Sequence, residues 1–546
     1  MRLLVIQLAR FGDIFQTWPA LAALRRNFPS AEIDILVRER FQAATSGLAR
    51  LGVDVKIWPT AHLLEPIWRD GDEVQSLQWL SAHIESLSSR KYDRICNLSF
   101  SPLSSYLTQA LSTGEAAVTG YTRFEDGYLA IPDDSSAYFY AQVGVDRTSR
   151  YHLCDVFAAV AGVELGSSDF NWCPSSIEKS GPVIVHLGAS EGIKSYPAEL
   201  WREVIQGIDE AGYRVRLVGS SQEKVLAEQA THDLTSHRIE NRVGESSLQE
   251  LCEWIQSAPV LVGADSAPVQ IASLMETPVV NLSCQAVRFW ETGPRVKGSV
   301  VLYRDSIRDI PPDDVVGSCL ALLSQKAPTL PHFAWREDRY IAVNVQDDDF
   351  DWRLLQALYT QADFPEVPTG VSTDGIHRAW TQVTLGLQNL EVWRCEGPSQ
   401  EIVANLAQVD AGLKPLENDR LVGPILRWFQ TERLRIGPSD PQIILTRSTE
   451  LFEQLATILM VYRSSGGVKR TQRLIEGLRE YDLRVLNEEF PSFIADFESE
   501  IAHSTNVASW TSVLKAINSA IQRRDLIEVA DLIETDLRVR LPSSAC

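Results

Sequence analysis

The sequence lacks several features that would place a protein in a class at once. No apolar run reaches about 18 residues, so no segment is long enough to cross a membrane as a helix. Basic residues are in the minority, and the formal net charge of −21 argues against a general nucleic-acid binder, because phosphate backbones require a basic surface. The eight cysteines form no CxxC pair and no His/Cys cluster with metal-ligand spacing, which predicts free thiols and no metal site.

We do not expect the amino-terminal segment to be a signal peptide. It reads MRLLVIQLARFGD, but its apolar part is too short, has no small-residue cleavage site and turns polar at Arg10. We therefore expect a first β-strand at this end, in a protein of the reducing cytoplasm.

Up to about Gln325, apolar β-branched runs alternate with helical segments. This alternation predicts mainly parallel sheets that are covered by helices on both faces. A polar, proline-containing segment at 170–180 interrupts the pattern, which then starts again. We predict two doubly wound α/β domains, at 1–172 and 173–326, with a ligand cleft at the carboxyl ends of both sheets.

The composition changes in the last 220 or so residues. The stretch 327–351 predicts a linker with one short strand at 340–345 and an acidic run, 347–351, to which we assign no ligand. From 352 to 546, apolar residues recur at spacings of three and four, which predicts an all-α domain that includes a helix around Leu474 and Leu478. Such a domain would pack on the core, form an oligomer contact or bind a protein partner.

The stretch 260–281 reads VLVGADSAPVQIASLMETPVVN and predicts a strand, a short polar turn, a helix and a second strand. The turn contains Asp265 and Ser266. Free N–H groups at a helix start bind anions, so this turn is a candidate phosphate site. The alternative is that Asp265 and Ser266 only cap the helix.

Two further turns follow strands in the same way. Gly12 and Asp13 come after the first strand, and Asp13 is either the N-cap of the next helix or a general base. In the second domain, VIVHLGASEGIKSYPAELW ends a strand at His186 and continues through a glycine-containing turn to Lys194. A histidine at a strand end is more often a core residue than a ligand, so Lys194 is the better candidate for neutralising a phosphate.

These segments together resemble glycosyltransferase family 9, the heptosyltransferases. The opening MRLLVIQLARFGDIFQTWPALAALRRNFPSAEIDILVRER is similar to the family's Gly-Asp pair, T-x-P-A-L helix start and F-P-x-A-x-I-x-x-L-V segment. VIVHLGASEGIKSYPAELW resembles its H-P-G-A-S and K-x-W-P motifs. IENRVGESSLQELCEWIQSAPVLVGADSAPVQIASLMETPVVNL resembles its S-L-x-E-L helix and D-[ST]-G-x-x-H-x-A signature. The resemblance runs from Met1 to about Leu323 and does not extend to the helical domain.

The resemblance implies a GT-B fold of two Rossmann-like domains with the active cleft between them. It also implies transfer of a sugar, typically heptose from ADP-heptose, to an acceptor hydroxyl, with inversion and without a metal or another cofactor. Asp13 matches the catalytic base, with Arg10 and Gly12 beside it on the acceptor side. Glu223 is a candidate for binding the ribose, and the other matching donor positions are Gly188, Ala189, Ser190, Lys194, Asp265, Ser266, Ala267 and Gln270.

The sequence departs from the family pattern at three positions, where Leu187, Ala267 and Gln270 replace a proline, a glycine and a histidine. A β-carbon at Ala267 narrows the approach of a phosphate, and Gln270 donates a hydrogen bond but carries no positive charge. Two hypotheses stay open. One is an active glycosyltransferase with a glycan or protein acceptor, in the cytoplasm or at the inner-membrane surface. The other is a catalytically degenerate GT-B scaffold whose helical domain recruits a protein partner.

Overall fold

The structure is a computed structural model. It describes residues 1–112, 116–144, 147–172, 178–189, 191–336, 339–344, 349–360, 362–368, 371–463, 507–523 and 526–533. The chain divides into two compact units, Met1–Phe139 with Val143–Asp347, and Tyr140–Gln142 with Asp348–Cys546. Both α/β domains belong to the first unit.

The first sheet contains five parallel strands in the order β3-β2-β1-β4-β5. The strands are β1 (Arg2–Ile6), β2 (Glu32–Arg38), β3 (Val53–Trp58), β4 (Arg94–Asn97) and β5 (Ala117–Gly120). A small antiparallel pair follows, β6 (Thr122–Arg123) and β7 (Leu129–Ala130). The strand order reverses beside β1, as in Rossmann domains, and a crevice forms at such a reversal.

Helices cover both faces of this sheet. They are α1 (Phe11–Asn27), α2 (Thr60–Asp70), α3 (Glu73–Ser88), α4 (Pro102–Leu111), α5 (Asp134–Gln142) and α6 (Leu153–Val160), with a 3-10 segment at Glu39–Leu51. Gly12 and Asp13, which the sequence placed in the turn after the first strand, already lie in α1, because this helix begins at Phe11.

The second sheet repeats the pattern in the order β10-β9-β8-β11-β12-β13-β14-β15. Its parallel strands are β8 (Val183–His186), β9 (Val215–Val218), β10 (Ile239–Asn241), β11 (Leu261–Ala264), β12 (Val279–Cys284) and β13 (Val300–Arg304). The associated helices are α7 (Ala198–Glu210), α8 (Lys224–Thr231), α9 (Leu248–Ser257), α10 (Ala267–Leu274), α11 (Phe289–Thr292) and α12 (Pro312–Leu323).

A hairpin extends the second sheet where the sequence suggested a linker with one short strand. Its strands, β14 (His332–Arg336) and β15 (Arg339–Val343), are antiparallel, and β14 pairs with β13. Trp335 and Tyr340 of the hairpin are buried against Phe289 and Trp290 of α11, which explains why this segment joins the sheet.

The second unit contains helices in its described part. They are α13 (Phe350–Thr360), α14 (Asp374–Glu396), α15 (Gln400–Leu413), α16 (Val422–Ile436), α17 (Pro441–Arg463), α18 (Val507–Gln522) and α19 (Leu526–Leu532). The predicted helix around Leu474 and Leu478, and Asp347 and Asp348 of the acidic run, lie outside the described residues. The prediction of two Rossmann-like domains followed by an all-α region is confirmed for the described residues.

A single apolar cluster connects the two α/β domains. It includes Ile14 and Phe15 of α1 and Val269 and Ile271 of α10, all of them buried. Burial of this apolar surface holds the first turns of α1 and α10 side by side. Among the described residues, no helix combines the length and the apolar character needed to span a membrane.

Candidate functional site

A cleft of about 730 Å³ lies where the carboxyl ends of β1 and β11 face each other. It brings together eight of the residues that the sequence predicted as site residues, namely Arg10, Gly12, Asp13, Lys194, Asp265, Ser266, Ala267 and Gln270. Gly188, Ala189 and Glu223 are not among its lining residues. Ser190 lies outside the described residues.

Asp13 lies in the first turn of α1, three residues after the N-cap, Arg10. Its carboxylate accepts a hydrogen bond from the N–H of Arg10 over 3.0 Å, so Asp13 supports the helix start without being the N-cap itself. Burial raises the pKa of Asp13, and the hydrogen bond and charge of Arg10 oppose that rise. A carboxylate with a raised pKa is a stronger base than an ordinary aspartate, which suits proton abstraction.

Asp265 follows β11 and lies opposite Asp13 in the cleft. Burial raises its pKa to about 6, and a hydrogen bond with Thr292 and the charge of Lys194 act against that rise. Its Oδ1 atom is buried and has no hydrogen-bond partner among the described residues. Because a buried acceptor without a partner costs about 1–3 kcal/mol, a ligand hydroxyl that donated to Asp265 would be stabilised.

The helix start after Asp265 offers fewer free N–H groups than the sequence suggested. Ser266 is the N-cap of α10 but makes no side-chain cap bond; its hydroxyl donates to the carbonyl oxygen of Ala264 over 3.0 Å. Pro268 has no N–H, and the N–H of Val269 is bonded to the carbonyl oxygen of Ser266. The first turn therefore leaves the N–H of Ala267 for a ligand.

His186 supports this turn from the end of β8. Its Nδ1 lies 3.2 Å from the hydroxyl oxygen of Ser266. Burial lowers the pKa of His186 to about 4, so the imidazole is neutral at physiological pH. The interpretation of His186 as an internal hydrogen-bonding residue agrees with this position.

Lys194 lies in a 3-10 turn, Gly192–Lys194, and its side chain is largely buried at 15% exposure. Its Nζ atom is 3.7 Å from a carboxylate oxygen of Glu191. This distance is longer than that in a strong ion pair, and Glu191 is half-exposed. The ammonium group of Lys194 can therefore still bind an anion in the cleft.

Gln270 joins two helices of the second domain beside the cleft, α10 and α11. Its side-chain amide donates a hydrogen bond to the carbonyl oxygen of Thr292, the last residue of α11. A β-carbon on Gly12 would lie 3.8 Å from Cγ of Gln270, so α1 contacts Gln270 closely. The residue that replaces the family's histidine therefore shapes the cleft.

Glu223 and Gly188 lie next to each other at the carboxyl ends of β9 and β8. The Glu223 carboxylate accepts hydrogen bonds from the N–H and the hydroxyl of Ser220, over 2.5 and 2.6 Å. A β-carbon on Gly188 would be 2.9 Å from Cδ of Glu223, so only glycine fits there without moving that side chain. Glu223 thus lies beyond the carboxyl end of β9, at the edge of the sheet where open α/β domains bind ligands.

Several cleft residues were missed by sequence reasoning. Arg38 is the last residue of β2 and Arg40 follows it, Ser99 and Ser101 follow β4, and all four line the cleft. The sequence feature that could have identified them is their position at or just after the end of a strand, because the carboxyl ends of parallel strands meet at one edge of a sheet. No motif distinguished them from ordinary loop residues.

Glu291, which is not among the lining residues of the cleft, was not predicted from the sequence either. It is buried beside Thr292, and its two carboxylate oxygens accept the N–H of Gly144 over 3.1 and 3.2 Å. Burial raises the pKa of Glu291 to about 7. Its main-chain oxygen also accepts a hydrogen bond from Gln16 of α1 over 3.2 Å, which fixes α11 against the first domain.

The cleft is cationic although the chain is acidic. Its lining carries four cationic side chains, Arg10, Arg38, Arg40 and Lys194, against the carboxylates of Asp13 and Asp265. Within the described part of the chain, no group of three or more His, Cys, Asp and Glu side chains is placed to hold a metal ion. The site can thus bind an anion through arginine, lysine and main-chain N–H groups, next to a carboxylate base.

Residues 80–285 match the sequence model of glycosyltransferase family 9 (heptosyltransferase). Lipopolysaccharide heptosyltransferase 3 of Escherichia coli K12 is 22% identical over 363 residues, which cover 58% of this chain and 97% of that protein. Lipopolysaccharide heptosyltransferase 1 of Pseudomonas aeruginosa is 24% identical over 316 residues, which cover 55% of this chain and 81% of that protein. The structure of E. coli heptosyltransferase WaaC with ADP aligns with a TM-score of 0.46 and 18% identity, over 59% of this chain and all of that one.

Proposed function

We propose that the chain, whose residues 80–285 match glycosyltransferase family 9, is a glycosyltransferase that transfers heptose from ADP-heptose to a hydroxyl group of a lipopolysaccharide glycan. We further propose that the transfer inverts the configuration at the sugar carbon and needs no metal ion. The observation that carries the proposal is that Asp13, Lys194 and Asp265, distant in sequence, line one cleft.

In this mechanism the Asp13 carboxylate accepts the proton of the acceptor hydroxyl. The hydroxyl oxygen then forms a bond to the anomeric carbon of the heptose. The bond from that carbon to the diphosphate oxygen breaks, and its electron pair leaves with ADP. Attack from the face opposite the leaving group gives an inverted product, and Asp13 supplies the base on the acceptor side.

The departing diphosphate gains negative charge as the bond breaks. The ammonium group of Lys194 and the N–H of Ala267 are the groups of the cleft that would stabilise it. Asp265 would repel a phosphate when ionised, so its unpartnered Oδ1 is better suited to a hydroxyl group of the sugar. Glu223, beside Gly188, would accept hydrogen bonds from the ribose hydroxyls.

The test is a transfer assay with ADP-heptose and a lipopolysaccharide core that lacks heptose. Release of ADP and the anomeric configuration of the product would be measured by NMR, in the presence and absence of EDTA. The proposal expects an inverted product and equal rates with and without EDTA. A retained configuration would rule out direct displacement, and loss of activity in EDTA would rule out the metal-independent step. Transfer only to protein acceptors would contradict the glycan acceptor.

A second candidate function rests on Gln270. Its amide is already bound to the carbonyl oxygen of Thr292, and it lacks the charge of the family's histidine. The candidate is a GT-B scaffold that has lost donor binding and whose helical region recruits a protein partner. Calorimetric titration with ADP and other nucleoside diphosphates separates the two, because a scaffold of this kind would bind none of them.

A further inference from the structure

A second cavity of about 920 Å³ lies at the amino ends of β12 and β13, at the edge of the second sheet opposite the donor cleft. Pro278 and Ser299, which directly precede those two strands, line it, and the β14–β15 hairpin contributes Trp335 and Arg336. It shares no described lining residue with the donor cleft. A ligand bound here would therefore occupy a separate site.

The charge of this cavity is opposite to that of the chain. Its described lining contains four cationic side chains and no carboxylate, whereas the chain carries a formal net charge of −21; the cations are Arg295, Lys297, Lys326 and Arg336. Arg295 is paired with Asp155 over 2.5 Å. For Lys297, Lys326 and Arg336, the described residues contain no ion-pair partner. Like charges that share a cavity repel one another, and a bound anion removes that cost.

The walls of the cavity are held in place by buried contacts. Arg295 lies between the rings of Phe170 and Trp335, 4.5 and 4.8 Å from their centroids. Trp335 packs edge-on against Tyr340, whose hydroxyl donates to the carbonyl oxygen of Pro294 over 2.9 Å. A binding site with fixed walls loses little entropy when a ligand enters.

The cavity also has an apolar side. Pro278, Leu322, Pro328 and Trp335 line it together with the cations. A volume of this size accommodates a ligand of cofactor or metabolite dimensions, and a mixed lining suits an anionic group attached to an organic body. Phosphate is the anion that clustered lysine and arginine side chains bind most readily.

We propose that this cavity binds a phosphate-bearing ligand, at a site separate from the donor cleft and independent of the transfer reaction. The cations Lys297, Lys326 and Arg336 bind the phosphate, and the apolar side contacts the attached organic group. The phosphate belongs either to a free compound or to a lipid headgroup, and the experiment below distinguishes these sources.

The first arm uses inorganic pyrophosphate as the probe and hydrogen–deuterium exchange of the full chain as the readout. Pyrophosphate should slow exchange in segments 295–300 and 325–336, and the Lys194→Ala variant should retain this protection. The triple variant Lys297→Ala/Lys326→Ala/Arg336→Ala should lose it, with the Kd for this site weakened at least about tenfold. Because all three residues are exposed, the triple variant should keep the wild-type Tm.

A charge-matched control is Arg308→Ala/Arg378→Ala/Arg447→Ala, which removes three exposed arginines outside the cavity. It should bind pyrophosphate like the wild type. Equal protection of the two segments in the wild type and the cavity variant would overturn the proposal.

The second arm measures sedimentation with phosphatidylglycerol vesicles. Sedimentation that the cavity variant loses and the control variant keeps identifies a lipid headgroup as the source. Protection by pyrophosphate without sedimentation identifies a free phosphate compound. If pyrophosphate gives no protection and the vesicles give no sedimentation, the cavity is not a phosphate site.

Discussion

The side-chain amide of Gln270 donates a hydrogen bond to the main-chain oxygen of Thr292, which joins α10 to the end of α11 in the second domain. Gln270 stands where the family pattern has a histidine, and Ala267 stands where it has a glycine. Both departures therefore lie on the wall that would face the donor.

Restoring the family residues should tighten donor binding. In Ala267→Gly/Gln270→His, the smaller residue lets a phosphate approach the main chain, and the imidazole can carry a positive charge. We expect the Kd for ADP to fall by about tenfold, as for one added charge-assisted hydrogen bond, measured by calorimetry. Ala272→Gly, at a buried position outside the cleft, is the control. An unchanged Kd would mean that the chain binds a different donor, or none.

Asp13→Asn should reduce the rate of transfer at least about 100-fold, because an amide cannot accept the acceptor's proton. The Kd for ADP should stay within about twofold of the wild-type value, because Asp13 is assigned to the acceptor side. For scale, a tenfold change in Kd corresponds to about 1.4 kcal/mol. Asp54→Asn, an exposed aspartate on β3, controls for the change of charge. A variant as fast as the wild type would exclude Asp13 as the base.

Lys194→Ala should weaken ADP binding by about tenfold or more, the effect of one lost charge-assisted hydrogen bond to a diphosphate. The measurement is calorimetry at two salt concentrations. The difference in ADP affinity between the variant and the wild type should narrow as salt screens the charge of Lys194. Lys414→Ala removes an exposed lysine in the second unit and should bind ADP normally. Wild-type affinity in Lys194→Ala would place the diphosphate elsewhere.

Gly188→Ala should affect nucleotide binding more than folding. The new β-carbon would lie 2.9 Å from Cδ of Glu223, and moving that side chain breaks its hydrogen bonds to Ser220. We expect a loss of about 1 kcal/mol in the free energy of unfolding, as for a lost helix cap, together with weaker ADP binding. In Gly192→Ala no atom lies within 4 Å of the new β-carbon, so this control should match the wild type. Normal ADP affinity in Gly188→Ala would remove Glu223 from the donor site.

Glu291→Gln should flatten the dependence of stability on pH. Burial raises the pKa of Glu291 to about 7 in the folded chain, well above that of an unfolded glutamate. Its contribution to stability is therefore complete in acid, below the unfolded pKa, and is lost as pH rises through about 7. The amide variant does not titrate, and its oxygen can still accept the N–H of Gly144.

The measurement is Tm from pH 4.5 to 8, with Glu396→Gln on the exposed surface of α14 as the control. We expect Tm of the wild type to fall more steeply with rising pH than that of Glu291→Gln. Parallel curves for the two proteins would show that Glu291 titrates normally.

Local sequence determined the elements of the α/β domains and most of the residues at their strand ends. The turn at Asp265 comes between a β-branched strand and a short helix, and the structure has β11 and α10 there. Asp13 and Lys194 were identified from glycine-containing turns and from the family resemblance, and both line the cleft. Such signals are local, since strand and helix periodicity and turn residues are read within a few positions.

Two boundaries required the structure. The first turn of α1 begins at Phe11, so Asp13 is the third residue of the helix. It is not the N-cap, which was one of the two interpretations of the sequence. The stretch at 332–343 forms a hairpin because its aromatic residues are buried against α11, a contact about 50 residues away in sequence. Propensity alone does not decide such cases, because packing against a distant element outweighs it.

The remaining lining residues of the donor cleft, and the whole second cavity, were decided by tertiary structure. Arg38 and Arg40 meet Asp13 because β2 and β1 are neighbours in the first sheet, and Gln270 reaches Thr292 because α10 and α11 pack together. The cationic cavity forms because the hairpin places Arg336 near Lys297 and Lys326. The sequence by itself determined most of the strands, helices and turns of the two α/β domains. Which turns face one another was decided by the burial of apolar residues of α1 and α10 in one cluster. Packing between these two helices leaves no periodic signal in the sequence.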